Sequence, residues 1–414
     1  MTRTDRGASR PPSERSRTEP LAPGTEPGAP ARDPLAGDAA HPARLDAENG
    51  PHAPARATDI GRFARERGAE ERSALYLSRR GRRARRWALP ALGAVLVAAA
   101  LAAVCFGAAG IAPADAFASL AARLGVGTTP LSAIEDAIVV KLRMPRVLAA
   151  CAVGAGLAIV GVVMQALVRN PLADPYLLGV SSGASVGAVL VLIAGLGVLL
   201  PVAAFAGALL ALLATLGLAG AAGGATPTRT VLAGVVVASA ASALVSLVIF
   251  WGADGDAYRE ILAWLLGSLA SISWQSALIA LVGAALALPL LVSGRLLDAL
   301  SLGDSAAGAL GVDARRTRWV LLVACALVTG VLVSVSGAIG FIGLVVPHAV
   351  RLVVGSSHAL LLPASGLAGA IVLLVADTVA RAAFDPRELP VGIVTALIGA
   401  PVFAALMLTG RVRT

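Results

Sequence analysis

Residues 141–187 read KLRMPRVLAACAVGAGLAIVGVVMQALVRNPLADPYLLGVSSGASVG. The stretch opens with three cations, Lys141, Arg143 and Arg146, and continues into an apolar run long enough to cross a membrane. A polar, proline-broken turn follows from Arg169 to Pro175, and a second apolar run begins after it. Two apolar runs joined by a short polar turn are typical of a helical protein that crosses the bilayer repeatedly.

The composition of the whole chain agrees with this interpretation. The 414 residues are 57% hydrophobic and only 14% charged, with a mean hydropathy of +0.81. The ten-residue alternating segments of a membrane barrel are absent, so the sequence predicts an all-α polytopic membrane protein. The net charge of +9 comes almost entirely from arginines at the ends of apolar runs. This position indicates membrane orientation rather than nucleic-acid binding.

The N-terminal segment, residues 1–84, differs from the rest of the chain. It is rich in Pro, Arg, Ala, Glu and Asp and has few residues that would form a core. We expect a disordered cytoplasmic tail, which is either regulatory or a passive extension. Six arginines between Arg79 and Arg86 precede the first apolar run and predict that the N-terminus is cytoplasmic.

The apolar runs from residue 85 to residue 414 predict one domain of ten transmembrane helices with both termini cytoplasmic. The predicted helices lie at about 87–109, 144–168, 177–198, 200–222, 230–251, 275–293, 319–336, 342–354, 360–380 and 391–409. Residues 110–140 become an external loop, and residues 252–274 contain a short interfacial or re-entrant piece. Lys141, Arg143, Arg146 and Arg381 fall outside, where arginine is under-used, and are therefore the leading functional candidates.

Several motifs resemble one family across residues 87–410. They are RMPR, GAGLAIVGVVMQALVRNPLADPYLLGVSSGA, WLLGSLASISW, LSLGDSAAGALGV, GFIGLVVPHAVR, LLPASGLAGAIVLLVADTVAR and ELPVGIVTALIGAPVFAALML. In this order they resemble the permease subunit of binding-protein-dependent ABC importers for iron-siderophores, haem and vitamin B12. The resemblance implies ten helices per subunit, a second permease copy or paralogue, separate ATP-binding subunits and an external substrate-binding protein.

The resemblance assigns a docking role to three outer arginines. Arg143 and Arg146 match the first arginine motif of the family and Arg381 matches the second, and these positions dock acidic residues of the binding protein. A guanidinium offers a bidentate fork to a carboxylate and stays charged. The alternatives are contacts with lipid headgroups or a local ion pair, since Asp377 and Arg381 are four residues apart on one helix.

Two proline-containing turns match loops that close the cytoplasmic end of the family's transport path. The positions are Asn170, Pro171 and Leu172 in the first turn and Thr226, Pro227 and Thr228 in the second. Ordinary tight connections need the same residue types, so this alternative stays open. Pro227 also departs from the small hydroxyl residue expected at that position.

The internal segment from Leu297 to Val312 resembles the family's coupling element, two short helices that fit a groove on the ATPase subunit. The candidate contact residues are Leu300, Leu302, Gly303, Ala306, Leu310 and Gly311. A loop with only a structural role does not need such regular apolar spacing, and the glycines are suited to ending or turning short helices.

The remaining polar residues favour structural roles. We interpret Gly179, Gly183 and Gly187 as helix-packing residues and expect an interhelical hydrogen bond from Gln165. We expect His348 to be buried and hydrogen-bonded, and His358 to face solvent in a loop.

The motifs that are missing limit the function. The sequence has no phosphate-binding G-x-x-x-x-G-K-[ST] loop, so we expect a translocation subunit that is not itself an ATPase. No metal site or cofactor is predicted. The sequence favours the permease of an importer for iron complexes, either siderophore or haem, with a cobalamin importer as the alternative. An ATP-independent channel or ion-coupled carrier is the alternative from another class, but it should show carboxylates at mid-membrane.

Overall fold

A computed structural model describes residues 87–107, 110–224, 226–252, 254–383 and 388–408, and the regular elements in these ranges are helices. The predicted disordered tail, residues 1–84, lies outside them and stays a prediction. In chain order the helices are α1 (Trp87–Cys105), α2 (Pro113–Arg123), α3 (Ala133–Val168), α4 (Val180–Ile193), α5 (Gly197–Ala221), α6 (Pro227–Gly252), α7 (Gly255–Leu265), α8 (Trp274–Ser301), α9 (Asp304–Ala309), α10 (Ala314–Ser336), α11 (Ile342–Val354), α12 (His358–Ala382) and α13 (Val391–Leu408).

The prediction of ten membrane helices is met in part. Among the described residues, eight helices are long and apolar enough to cross a membrane, whereas α4 and α11 are shorter apolar helices of 14 and 13 residues. The sequence predicts α4 over residues 177–198. Left-handed glycines shorten it at both ends, with φ of 72° at Gly179 and 68° at Gly195. Glycine adopts this conformation without the steric cost that other residues meet.

Helix α3 lies at the centre of the bundle. Its most apolar stretch is 83% buried, and it packs against α8, α10, α11 and α12. One close approach is to α12, where a Cβ atom added to Gly154 would lie 2.3 Å from the carbonyl oxygen of Gly369. The two backbones therefore touch at a point where only glycine fits.

The start of α3 differs from its predicted start at residue 144. Ser132 and Glu135 form a reciprocal capping box, so the helix already begins at Ala133. A π-helical turn over Ile138–Arg143 joins this first part to the part of membrane-spanning length. The predicted external loop thus contains the start of α3 as well as α2, and Ser119 of α2 donates a 2.5 Å hydrogen bond to Asp136.

The predicted packing role of the glycines in α4 is confirmed. A Cβ atom at Gly183 would lie 2.4 Å from the carbonyl oxygen of Gly207, and one at Gly187 would lie 1.9 Å from that of Ala203. Both partners belong to α5, so small residues let these two helices pack with their backbones in contact.

Four of the long helices bury little of their surface within the chain. The most apolar stretches of α1 and α6 are 17% buried, and those of α5 and α13 are 22% buried. Since these stretches are apolar, their exposed faces are suited to contact with lipid or with another membrane subunit.

Candidate functional site

Five charged residues of the predicted outer end form one group, which we call the outer arginine cluster. It consists of Arg143, Arg146, Asp377, Arg381 and Glu388. α3 contributes the first two, α12 contributes the next two, and Glu388 follows the described end of α12. The three arginines predicted to dock a partner are therefore neighbours in space.

Arg146 is the centre of this cluster. Its Nε donates to both carboxylate oxygens of Asp377 at 3.0 Å, and its Nη2 donates to Oδ1 at 2.9 Å. Its Nη1 donates to Oε2 of Glu388 at 2.6 Å. Each nitrogen of the guanidinium thus has a carboxylate partner, which is the strongest arrangement available to an arginine.

The other two arginines bind the C-terminal end of α1. Arg143 Nη1 donates to the carbonyl oxygens of Val104 and Cys105 at 2.9 and 2.8 Å. Arg381 donates to the carbonyl oxygens of Ala103 at 3.2 Å and Phe106 at 3.4 Å. The last carbonyls of a helix lack partners within the helix and carry partial negative charge, so cations stabilise this end.

Burial distinguishes the outer arginine cluster from a ready docking surface. Arg143, Arg146 and Arg381 are 5%, 6% and 6% exposed. Of the alternatives left open by the sequence, the local ion pair of Arg381 with Asp377 is present, at 3.4 Å. Docking through these arginines stays a prediction, and it requires the cluster to open locally.

The first predicted gate turn, Asn170 to Leu172, is compact and largely exposed. The side chain of Asn170 accepts a 2.9 Å hydrogen bond from the backbone N–H of Leu172, as expected for an Asx turn. Arg169 precedes it in a left-handed conformation with φ of 53°, which ends α3. Further along, burial raises the pKa of Asp174 to about 6.

The second predicted gate turn, Thr226 to Thr228, leads into α6. Pro227 is the first residue of the helix, a position where proline loses no hydrogen bond. The Thr226 carbonyl accepts hydrogen bonds from both the N–H and the hydroxyl of Thr230, each at 2.9 Å. Pro227 and Val168 line the same small cavity. The second turn therefore lies near the end of α3, which leads into the first turn.

The predicted coupling segment forms two short helical pieces, the last turns of α8 and then α9. Gly303 and Gly311, with φ of 112° and 79°, separate and end them, and Ala306 lies half-buried in α9. Leu300 is 1% exposed, whereas Leu302 and Leu310 are 70% and 64% exposed. Leu297 is also fully buried, so the apolar spacing anchors the segment with two leucines and presents two others outward.

An ion-pair network connects this segment to the first predicted gate turn. Asp304 at the start of α9 pairs with Arg169 and, at 2.9 Å, with Arg318 of α10. Arg169 also donates to the carbonyl oxygen of Leu300 at 3.0 Å. The bond from Arg318, followed by that from Arg169, holds the pKa of Asp304 below its usual range.

Beside the network lies a cavity of about 800 Å³, which we call the inner basic cavity. Arg169, Arg295 and Arg351 line it together with Asp298. Arg295 is exposed and has no ion-pair partner among the described residues. Asp298 accepts a hydrogen bond from the backbone N–H of His358 at 3.1 Å, and its carboxylate also contacts Nδ1 of the same histidine at 2.5 Å. The cavity therefore carries excess positive charge.

The structure also tests the predictions for three further polar side chains. Gln165 donates to the carbonyl oxygen of Leu344 at 3.1 Å, which confirms the expected interhelical hydrogen bond. His358 is 6% exposed, so its predicted position in a solvent-facing loop is wrong, because Asp298 holds it at the start of α12. His348 is buried as expected, but neither ring nitrogen has a partner among the described residues.

Sequence reasoning missed the partners in both networks. Arg146 and Asp377 are 231 residues apart, and the pairing of Asp377 with Arg146 is tighter than the predicted pairing with Arg381. Glu388 and Asp304 both lie inside motifs quoted above, ELPVG and LSLGD. The sequence signal that could have identified these partners is an acidic residue inside a motif near the same membrane face.

This chain is similar to known proteins both in sequence and in fold. The profile of the FecCD transport family matches residues 95–409. A vitamin B12 import system permease protein from Vibrio cholerae is 43% identical over 275 residues, covering 66% of this chain and 83% of that protein. A cobalamin import system permease protein from Halobacterium salinarum is 46% identical over 283 residues, covering 67% of this chain and 74% of that protein. The solved structure of a metal-chelate type ABC transporter in an inward-facing conformation has a TM-score of 0.68 and 33% identity, covering 78% of this chain and 98% of that one.

Proposed function

The chain belongs to the FecCD transport family as an ABC importer permease, and we propose that it imports cobalamin, vitamin B12. It is a multi-pass protein of the bacterial cytoplasmic membrane. The single observation that carries the choice of substrate is that the relatives from Vibrio cholerae and Halobacterium salinarum are named for vitamin B12 or cobalamin. This reverses the order favoured by the sequence motifs, in which iron complexes came first. An iron chelate is the second candidate, supported by the likeness to a metal-chelate type transporter.

The chemistry of the least buried helices suits a large neutral or pre-chelated substrate. α5 has no charged residue, and the exposed side of α6 carries the hydroxyls of Ser239, Ser242 and Ser246. Hydroxyl groups on an otherwise apolar helix suit a water-filled path between two permease subunits better than contact with lipid chains. A bare metal ion would instead need charged or carbonyl ligands in the path.

The inner end supports energy supply from separate ATP-binding subunits. Leu302 and Leu310 offer apolar contacts that an ATPase subunit would bury. Asp304 and Arg169 link that contact to the first predicted gate turn, so a displacement of α9 reaches Asn170 through two ion-paired side chains. Such a link is one way in which ATP-driven motion of a partner would open and close a path.

The proposed topology has ten membrane crossings with both termini cytoplasmic, and α4 and α11 provide the two shorter ones. It puts the outer arginine cluster on the side of a substrate-binding protein and α9 on the side of the ATPase. Cysteine labelling with an impermeant maleimide tests this arrangement, because Lys141 and Leu302 are both exposed. Lys141→Cys should react in intact cells, whereas Leu302→Cys should react only after permeabilisation, and the reverse pattern would overturn the topology.

The function itself is tested by transport in proteoliposomes that contain the permease, its ATPase and a cobalamin-binding protein. We expect uptake of radiolabelled cobalamin that requires ATP and is not inhibited by excess ferric siderophore or haem. If the proteoliposomes take up ferric siderophore or haem but not cobalamin, the substrate assignment is wrong. Uptake without ATP would overturn the importer function.

A matched pair of variants tests the ATPase contact in the same preparation. Leu302→Glu should abolish co-purification of the ATPase, because it places a charge in an apolar contact. Leu124→Glu changes a leucine that is even more exposed, at 85% against 70%, on the predicted outer side and should leave co-purification intact. Equal retention of the ATPase by both variants would contradict the assignment of α9 to coupling.

A further inference from the structure

Arg146 is only 6% exposed, and two carboxylates cover its guanidinium. Asp377 contacts Nε and Nη2, and Glu388 contacts Nη1. If an external acidic protein binds this buried arginine, as the proposed function requires, it has to displace one of the two carboxylates. The identity of the leaving carboxylate follows from their surroundings.

The two carboxylates differ in burial and in number of bonds. The side chain of Asp377 is 0% exposed and makes three short contacts with Arg146, whereas that of Glu388 is 43% exposed and makes one. Asp377 released from Arg146 would remain a buried, weakly compensated charge, which is strongly unfavourable. Glu388 is partly exposed, so when it is released from Arg146 its carboxylate turns into water and is not left as a buried charge.

The charge of the cluster favours exchange over simple loss of Glu388. Three guanidinium groups face two carboxylates, so the cluster has a net charge of +1 and attracts an anion. A carboxylate of the binding protein that replaces Glu388 at Nη1 restores the same net charge. Arg143 and Arg381 have partners of their own, the carbonyl oxygens of α1, so the exchange at Arg146 need not disturb the helix packing.

We propose that Glu388 is the exchangeable partner of Arg146 and sets the affinity of docking: it closes the outer arginine cluster in the free permease, and a carboxylate on the surface of an acidic binding protein displaces it. This inference rests on the proposed function, because it assumes that such a protein docks at this end. Glu388 acts as a competitor and positioning residue, and it does not contact the transported substrate.

The test measures binding of the cobalamin-loaded binding protein to the full-length permease in nanodiscs. Glu388→Gln removes the competing charge but keeps the size of the side chain, so we expect binding about fivefold tighter than wild type. Glu388→Asp keeps the charge on a shorter side chain and should bind between the two. Glu260→Gln, which changes an exposed carboxylate of α7 outside the cluster, should bind like wild type.

The outcomes separate this inference from the proposed function. Suppose that the wild-type permease binds the binding protein, and that Glu388→Gln binds it equally or more weakly with an unchanged melting temperature of the permease. This result would overturn the exchange and leave the importer function standing. If the Glu388→Gln variant is unstable, the Glu388→Asp variant decides, because the exchange model requires it to bind more tightly than wild type. Failure of the wild-type permease to bind any cobalamin-loaded binding protein would overturn both.

Discussion

The arginines at the two ends of the bundle are used in opposite ways. In the outer arginine cluster every guanidinium is buried and bound to carboxylates or helix carbonyls. In the inner basic cavity Arg295 is exposed, and the partner of Arg351 among the described residues is neutral, the side-chain oxygen of Gln165 at 3.2 Å. Arg169 of the same cavity is paired with Asp304. Similar residue types thus form a closed structural cluster at one end and an open, positively charged cavity at the other.

This difference determines how partners would act at each end. A partner at the outer end has to compete with groups of the permease itself, so its binding depends on an exchange. A partner at the inner end meets exposed leucines and Arg295, which has no ion-pair partner among the described residues. The predictions that follow test whether the outer arginines are structural and the inner ones available.

The largest effect is expected from truncating the central outer arginine. Arg146→Ala leaves Asp377 buried without its main partner, which should lower the free energy of unfolding by about 3–5 kcal/mol. Arg295→Ala removes an exposed inner arginine and should change it by less than about 0.5 kcal/mol. Unfolding of both variants in the same detergent measures the difference, and equal effects would contradict the contrast.

A smaller effect separates the outer arginines from one another. Arg381 makes longer contacts than Arg146, with donor–acceptor distances of 3.2–3.4 Å. Arg381→Lys should therefore cost about 1 kcal/mol, and Arg146→Lys, which loses a bidentate pair, should cost more. The comparison uses the midpoints of thermal unfolding, and a larger shift for Arg381→Lys would refute the ranking.

The inner ion-pair network should affect coupling more than stability. Asp304 is 55% exposed in its side chain, so Asp304→Asn should lower the free energy of unfolding by less than about 1 kcal/mol. If Asp304 transmits motion from α9 to the gate turn, the same variant lowers the number of cobalamin molecules transported per ATP hydrolysed. Asp313→Ala, which removes the cap of α10 in the same segment, is the control for stability. If Asp304→Asn transports as many cobalamin molecules per ATP as wild type, the network does not transmit motion from α9 to the gate turn.

The smallest effect concerns pH. Because its arginine partners hold the pKa of Asp304 below the usual 3.8, the folded state favours the ionised form. The stability that Asp304 contributes is therefore complete above the ordinary carboxyl pKa and is lost as the pH falls through the lowered pKa. The stability difference between wild type and Asp304→Asn should be constant from about pH 8 to about pH 5 and should shrink below pH 4. A difference that shrinks already above pH 5 would contradict this.

Much of the fold could be predicted from the sequence because apolar length and the placement of arginines are local signals. The glycine spacing in α4 indicated packing, and the resemblance placed Leu302 and Leu310 in a segment that the structure leaves exposed. The length of α4 was missed because Gly179 and Gly195 turn the chain before the apolar run ends. The partners of Arg146 were missed because pairing across 231 residues depends on tertiary packing that local patterns do not contain.

The contrast between the two ends is tested most directly by chemical modification of arginine in the free, full-length permease. The protein in nanodiscs is treated with phenylglyoxal, and mass spectrometry measures the rate of modification at each arginine. We predict rapid modification of Arg295 and strong protection of Arg143, Arg146 and Arg381. Modification of the three outer arginines as fast as Arg295 would contradict the closed cluster and, with it, the need for exchange at Glu388.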